Sequence, residues 1–511
     1  MPEKSTPIIV SAAQITHRGD LDETVTPLNM LEQVARKILS AASSADISGT
    51  IDTIGIVQPT IKAKNLRRLP VGQLENTGLS LGKRLGITPA QSIECGIGGN
   101  SPQMLINTLA ERIAEGEARV ALVAGTEFLG HMMKVLNAGK TLESWGEEAA
   151  TAPEHLGSNK DGETKFESAH GLSRPVNVYP LFENGLRGHY GLSLEQHRQA
   201  LGRLCEPFTR VAAENPYAWF PVYRSAEEIA TVNETNRMIG FPYPKYMNAI
   251  IQVDMSAGVL MMSVEAAQEL GIDPGKWVYL HGCADATDLW YVTERQNYHS
   301  SPAIRTIGRQ AMDMAGLSIA DMDYIDLYSC FPCAVQIAAD ELGLAHDDPR
   351  GLTLTGGLPY FGGPGNNYVM HSIATAIERL QANPGKRALV TANGWYLTKH
   401  SIGIYSTLPV EGGWQRLSPS VYQSEIDQLP HPEFEAHPQG RAEVETYTVV
   451  NMREGPAFGI VIGRLENGRR FVANTPKDPE VLNTWMSEEF IGRKGTVTTD
   501  EDGLKNTFVA D

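Results

Sequence analysis

The chain has no apolar run near the ~20 residues that a membrane-spanning helix requires. It has no excess of basic charge either. Its 60 acidic against 43 basic residues give a formal charge of −17, which argues against nucleic acid as a general partner, since phosphate binding needs a basic face. Cysteine is scarce: five in 511 residues, an odd number that does not suggest a secreted disulfide scaffold. Two of them, Cys330 and Cys333, are spaced as a metal-ligand pair, but a zinc site needs a second pair and none is present. No metal and no covalently bound cofactor is therefore expected. The first residues lack the apolar stretch and cleavage site of a signal peptide. The final Phe508-Val509-Ala510-Asp511 is not a peroxisomal address. Together these absences predict a cytoplasmic globular protein.

What the chain does have is a duplication. Gly98-Gly99-Asn100 reappears as Gly365-Asn366-Asn367 at a constant offset of 267 residues (Asn100 to Asn367). At that offset Ile106 matches Ile373, Thr108 matches Thr375, and Glu111-Arg112 matches Glu378-Arg379. Ala121-Leu122-Val123 then matches Ala388-Leu389-Val390. Each copy reads as a glycine-rich turn, a helix and an apolar strand. A period this long is no solenoid. It predicts two related halves with function at the seam between them.

Around each copy, helical patterns alternate with short apolar strands. Leu31, Val34, Ala35 and Ile38 share a helical face, and Ile54-Gly55-Ile56-Val57 reads as a buried strand. The second half predicts strands near Val278 to Leu280, Tyr324 to Leu327 and Ala388 to Thr391. This grammar indicates α/β layers. Between the halves the chain turns rich in proline and aromatics. One helix stands out there, opened by a Ser193/Gln196 capping box. After a proline-marked linker, Asn467-Gly468 and Asp502-Gly503 lie between β-rich runs as hairpin turns. That fits a small barrel of the OB kind. The division is 1–127 for the first half, 128–250 for the insertion, 251–408 for the second half, 409–440 for the linker and 441–511 for the barrel.

The glycine turns present backbone N–H groups at helix N-termini, where a developing anion is favoured. Close packing of two helices is the competing explanation. Cys330-Phe331-Pro332-Cys333, between a strand and a helix, is either a redox pair or two small core thiols. Tyr328 projects from the same strand end as a possible acid/base. His371, on a largely apolar helix, reads as a core residue. Trp395 to His400 either lines a pocket or forms a turn with polar tips. Lys62, Lys64, Arg67 and Arg68 either meet the phosphates of a nucleotide-like ligand or form a solvated loop.

The duplicated halves, the insertion, Gly98-Gly99-Asn100-Ser101-Pro102-Gln103 and Tyr360-Phe361-Gly362-Gly363-Pro364-Gly365-Asn366-Asn367 together resemble the thiolase superfamily. They most closely resemble the thiolase-like protein type 1 branch with an additional C-terminal domain, often labelled acetyl-CoA acetyltransferase. The resemblance implies a duplicated five-layer αβαβα core, an inserted loop domain that receives coenzyme A, and a C-terminal OB-like domain. It implies a coenzyme A thioester as substrate or ligand, a place in lipid and acyl metabolism, and a monomer or homodimer. It also aligns the chemistry. The thiolase nucleophilic cysteine falls on Gly99, with Cys95 four residues upstream. The histidine-glutamate-alanine-phenylalanine motif falls on Tyr328-Ser329-Cys330-Phe331. The glycine-histidine-proline motif falls on Gly362-Gly363-Pro364, and the second cysteine falls on Ala392, before Asn393 and Gly394. All four usual side chains are replaced, so ordinary thiolase turnover is not expected. The resemblance leaves Tyr328 or Cys330 as acid/base, with Asn366, Asn367 and Asn393 as oxyanion donors. Gly98, Gly99, Asn100, Gly363 and Gly365 would hold the thioester. A retro-aldolase acting on a β-hydroxyacyl-CoA through Tyr328 and a non-catalytic acyl-CoA-binding scaffold are the alternatives.

Overall fold

In the computed structural model, which describes residues 2–19, 26–63, 66 and 68–511, the duplication holds to the residue. Helix Ser101–Glu115 and helix Tyr368–Ala382 are both 15 residues long. They start and stop at the offset seen in the sequence. The strands that follow, Val120–Phe128 and Arg387–Gly394, start at it too. Gly116 ends the first helix in the left-handed conformation, where glycine carries no Cβ penalty.

The core strands form one ten-stranded sheet with mirrored halves. From the middle outward, the first half runs Pro7–Thr16, Asp254–Ser263, Val120–Phe128, Thr53–Val57, Gln91–Cys95 and Glu154–Leu156. The second half runs Val278–Thr287, Lys399–Ser406, Arg387–Gly394 and Tyr324–Asp326. The halves meet through two residue pairs, Ile8 with Tyr279 and Ile9 with Val278. Helices Ser101–Glu115 and Tyr368–Ala382 lie side by side and touch strands of both halves. This makes them the middle layer, and Tyr368 to Ile377 are accordingly buried around the whole helix. Helix Pro27–Ala42 covers the first half from outside, and helix Pro302–Ala315 covers the second. The result is the expected αβαβα stack.

The insertion is more helical than the sequence suggests. The helix opened by Ser193 runs Leu194–Glu214, with the capping box formed. Helix Pro175–Tyr190, unforeseen because Pro180 interrupts its pattern, packs beside it. The hairpin Met238–Gly240 and Tyr243–Pro244 joins the C-terminal sheet through Gly240 and Val450. The C-terminal strands Gly440–Met452, Gly455–Leu465, Arg470–Asn474, Lys494–Thr499 and Asn506–Ala510 close a barrel. Its order is first-second-third-fifth-fourth-first, with the third and fifth strands parallel. Helix Pro479–Ser487 fills the third connection. Gly468 and Gly503 sit at the two expected hairpin tips, both with positive φ.

Of the stretch Trp395 to His400, residues 395–398 form a turn and Lys399 and His400 open the fully buried strand Lys399–Ser406, while Leu397 and His400 line a small cavity. Lys399, Tyr405 and Ser406 find partners inside the protein, which periodicity does not reveal, whereas the Ser401 hydroxyl is buried without one. Among the described residues no helix is long and apolar enough to cross a membrane. The middle layer should dominate stability. Leu105 is fully buried, and its side chain packs where Gly55 has no Cβ. Leu105→Ala is expected to cost about 2–5 kcal/mol in urea unfolding, against less than about 0.5 kcal/mol for the exposed Val509→Ala.

Candidate functional site at the seam

The two glycine turns meet, and Asn366 joins them. Its Oδ1 accepts from the Gly98 N–H at 2.9 Å, and its Nδ2 donates to the Gln58 carbonyl at 2.7 Å. Its own N–H donates to Glu127 Oε1 at 3.0 Å. Thr60 donates to the same carboxylate oxygen from N–H and from Oγ1, at 2.9 and 2.7 Å. Gly365, at φ +41°, leaves room for Glu127 and Thr60, since a Cβ there would stand 2.3 and 2.1 Å from them. Burial drives the Glu127 carboxyl up to about 7, against the three donors that favour its anion. Asn367 donates to the Gly125 carbonyl at 2.8 Å. Gly363 lies against Ile250 and Leu358 instead, and donates to the Ile250 carbonyl.

Gly99 explains the position of Tyr328. A Cβ on Gly99 would stand 2.3 Å from the Tyr328 hydroxyl and 2.5 Å from the Asn393 carbonyl oxygen. The phenol therefore occupies the space that any side chain at residue 99 would need, at the N-terminus of helix Ser101–Glu115. Burial, and then the nearby Cys330 and Tyr368, hold that phenol well above its ordinary range. It keeps its proton at neutral pH and so is available to donate. A cavity of about 10 Å³ adjoins it, room for about one water, lined also by Asn393, Thr391, His400, Leu397, Ile304 and Ile307.

Asn393 donates to the Tyr179 hydroxyl at 2.9 Å and lies 3.9 Å from Cys330 Sγ. The Oδ1 atoms of Asn393 and Asn100 are buried with no hydrogen-bond partner. Tyr179 donates onward to the Trp395 carbonyl at 2.8 Å and stacks on Phe331. Burial pushes the Cys330 thiol up to about 12 and holds Cys333 well above the ordinary thiol range, and both are free thiols. That favours small core thiols over a redox pair. Among the described residues no cluster could hold a metal ion. Cys95 is buried at about 11, its Sγ directed to the Ile56 carbonyl. His371 is a core residue: Nδ1 meets Gln14 at 3.0 Å, and burial pulls it down to about 3.

Lys399 is the seam residue that periodicity missed. Its side chain lies between Gly98 and Gly394, where a Gly98 Cβ would stand 2.7 Å from its Nζ. The amine donates to the Ile97 carbonyl. Burial draws it down to about 8, although Cys95 acts in the opposite sense. A lysine in a strand end reads as a polar tip, so only the register against Gly394 and Thr287 reveals it. Of the basic run, Lys62 forms a buried ion pair with Glu94 at 2.7 Å and donates to Thr77. It is neither a solvated residue nor a free phosphate contact. Arg68 is exposed, and Lys64 and Arg67 lie outside the described residues.

Two family models match the chain. Residues 284–364 match the thiolase C-terminal domain-like family, and residues 422–502 match the thiolase-like protein type 1 additional C-terminal domain. The crystal structure of a monomeric SCP2-thiolase like protein type 1 from Mycobacterium smegmatis superposes with a TM-score of 0.85. It is 36% identical, with 100% of both chains covered. An acetyl-CoA acetyltransferase of Methanothermobacter thermautotrophicus is 21% identical over 61% of this chain and 73% of its own length. An Ltp2-ChsH2(DUF35) aldolase structure shares the fold, with a TM-score of 0.58 and 16% identity over 79% of this chain and 98% of that one.

Two outcomes follow from this geometry. Gly99→Ala drives a methyl into Tyr328 and a main-chain carbonyl, and should cost about 1–3 kcal/mol in chemical denaturation. Tyr328→Phe in the same chain should recover only part of it, because the Asn393 carbonyl stays. Glu127 binds its proton more tightly folded than unfolded. Its contribution is therefore present below about pH 4.5 and is lost as pH rises through about 7. Glu127→Gln should remove on the order of 3 kcal/mol of that fall, read as melting curves between those pH values.

Proposed function

The chain belongs to the thiolase-like protein type 1 family, and on that premise we propose that its seam binds coenzyme A thioesters and processes them without the covalent route of a thiolase. The observation that carries this reading is the Tyr328 hydroxyl standing where a side chain on residue 99 would have to be. With glycine at that position, residue 99 offers no nucleophile to take the acyl group. What remains is electrostatic. The Tyr328 O–H and the N-terminal end of helix Ser101–Glu115 together favour negative charge on a thioester oxygen. Such donors contribute about 10²–10³ in rate, well short of a nucleophile and two acid/base groups.

A second reading, retro-aldol cleavage of a β-hydroxyacyl-CoA, is favoured by one further observation. Burial moves two titratable groups at the seam in opposite directions: the Tyr328 phenol up, and the Lys399 amine down to about 8, where a fraction is neutral at neutral pH. In that reaction the amine takes the β-hydroxyl proton and the Cα–Cβ bond breaks. The aldehyde leaves, the electron pair passes to the thioester oxygen beside Tyr328, and a proton returns to Cα.

The test supplies acetoacetyl-CoA with coenzyme A, and separately a β-hydroxyacyl-CoA. We expect coenzyme A thioesters to bind, and thiolysis to run at least about 10⁴-fold below a cysteine-bearing thiolase. Aldehyde release that disappears in Tyr328→Phe selects the second reading. Binding with no turnover of either substrate leaves a carrier or scaffold. Thiolysis at ordinary thiolase rates, or failure to bind any acyl-CoA, overturns the proposal.

A further inference from the structure

Arg470, on the barrel strand Arg470–Asn474, is fully buried although it belongs to the C-terminal domain. Glu445 grips it through Nε and Nη2, at 2.8 and 2.6 Å, and Arg464 grips Glu445 in turn. The remaining donors leave the barrel. They reach the carbonyls of Thr293 at 3.0 Å, of Arg295, and of Gln296 at 3.3 Å, with the guanidinium over the Tyr298 ring. One barrel side chain thus holds three main-chain carbonyls of the short 293–296 segment.

The side chain of Arg295 continues inward from that segment. It donates to the Leu397 carbonyl at 2.6 Å, the Tyr396 carbonyl at 3.0 Å and Thr398 Oγ1 at 2.8 Å. These acceptors sit on a loop that would not hold its shape unaided. Trp395 and Leu397 have φ of +56° and +54°, a region that residues with a Cβ rarely adopt. Such conformations persist only where the surroundings over-determine them. The loop joins Asn393 and Gly394 to Lys399, and so carries one face of the seam.

We propose that the C-terminal barrel is a positioning domain for the seam: Arg470 fixes the 293–296 segment, and Arg295 passes that constraint to the 395–398 loop. Neither arginine touches a reacting atom. Both are positioning residues for Asn393 and Lys399. Lysine cannot replace Arg470, because a point ammonium lacks the planar fork that meets Glu445 and three carbonyls at once.

The experiment uses the full chain and reads hydrogen–deuterium exchange. Arg470→Met and Arg470→Lys should each speed exchange in the 394–400 peptide by about tenfold or more, while the Gly455–Leu465 barrel strand stays protected. Arg295→Lys, which leaves the barrel untouched, should do the same. The Arg295→Lys/Arg470→Met pair should be no worse than either single change, as expected of two links in one chain. Acetyl-CoA affinity, measured by calorimetry, should fall in step. That arm rests on the thioester-binding reading, whereas the exchange arm does not. Absent acetyl-CoA binding in the unaltered protein would therefore sink the former reading alone. Unchanged exchange at 394–400 in Arg295→Lys, or in Arg470→Met with a protected barrel, overturns the inference. Additive effects of the two changes overturn it as well. If Arg470→Met unfolds the barrel, Glu445→Gln loosens the same arginine from behind and is judged by the same peptide.

Discussion

The Asn366 side chain ties one glycine turn to the other, and much of the molecule is arranged to let that contact form. Its carboxamide accepts from Gly98 and donates to Gln58, and its main-chain N–H reaches Glu127. For these bonds to exist together, the two middle helices must start at one level between the two sets of strands. That requires the duplicated helices to be equally long and equally phased, as they are. The mirrored sheet, the close approach of Gly125 to Asn367, and the buried carboxyl of Glu127 all serve the same junction. The contact leaves little freedom for catalysis by Asn366 itself. Oδ1 and Nδ2 of its amide each already have a partner, which fixes the side chain and leaves one Nδ2 hydrogen uncommitted.

The Tyr328 side is where chemistry has been redistributed. Burial keeps a phenol protonated, two thiols inert and an amine partly neutral within one small region. The unpartnered amide oxygens of Asn100 and Asn393 mark buried polar groups that a ligand or an ordered water would satisfy. The loop that frames them holds two left-handed non-glycine residues, held in turn from the barrel. Fold stability and site geometry therefore share parts: the arginines that brace the loop also join two domains.

The duplication was legible because its signal is local. A glycine turn, a helix of fixed length and an apolar strand keep their spacing when copied without gaps. Hairpin tips at Gly468 and Gly503, and the capping box at Ser193, were legible for the same reason. Helix Pro175–Tyr190 was hidden by its internal Pro180, and strand Lys399–Ser406 by its polar first residues. Tyr179, Arg295 and Arg470 left no trace in the pattern, and Lys399 stood only within a stretch that read equally as pocket lining or as a turn. The carbonyls that hold them lie 102 to 302 positions away in the chain, and only tertiary packing turns those side chains inward. The alignment of Gly99 with the thiolase nucleophile and of Tyr328 with the histidine of its motif came from family resemblance. That the two residues exclude each other's side chains came from the structure.

The exclusion has a consequence for how this chain can change over time. A single substitution restoring cysteine at position 99 would meet the Tyr328 hydroxyl and the Asn393 carbonyl before it met any substrate. Removing the phenol first would still leave the carbonyl in the way. No single substitution opens position 99 to a side chain, and only a coordinated change would succeed. The pair acts as a lock, in which one side chain's place in the fold forbids a neighbour's as firmly as its absence from the sequence.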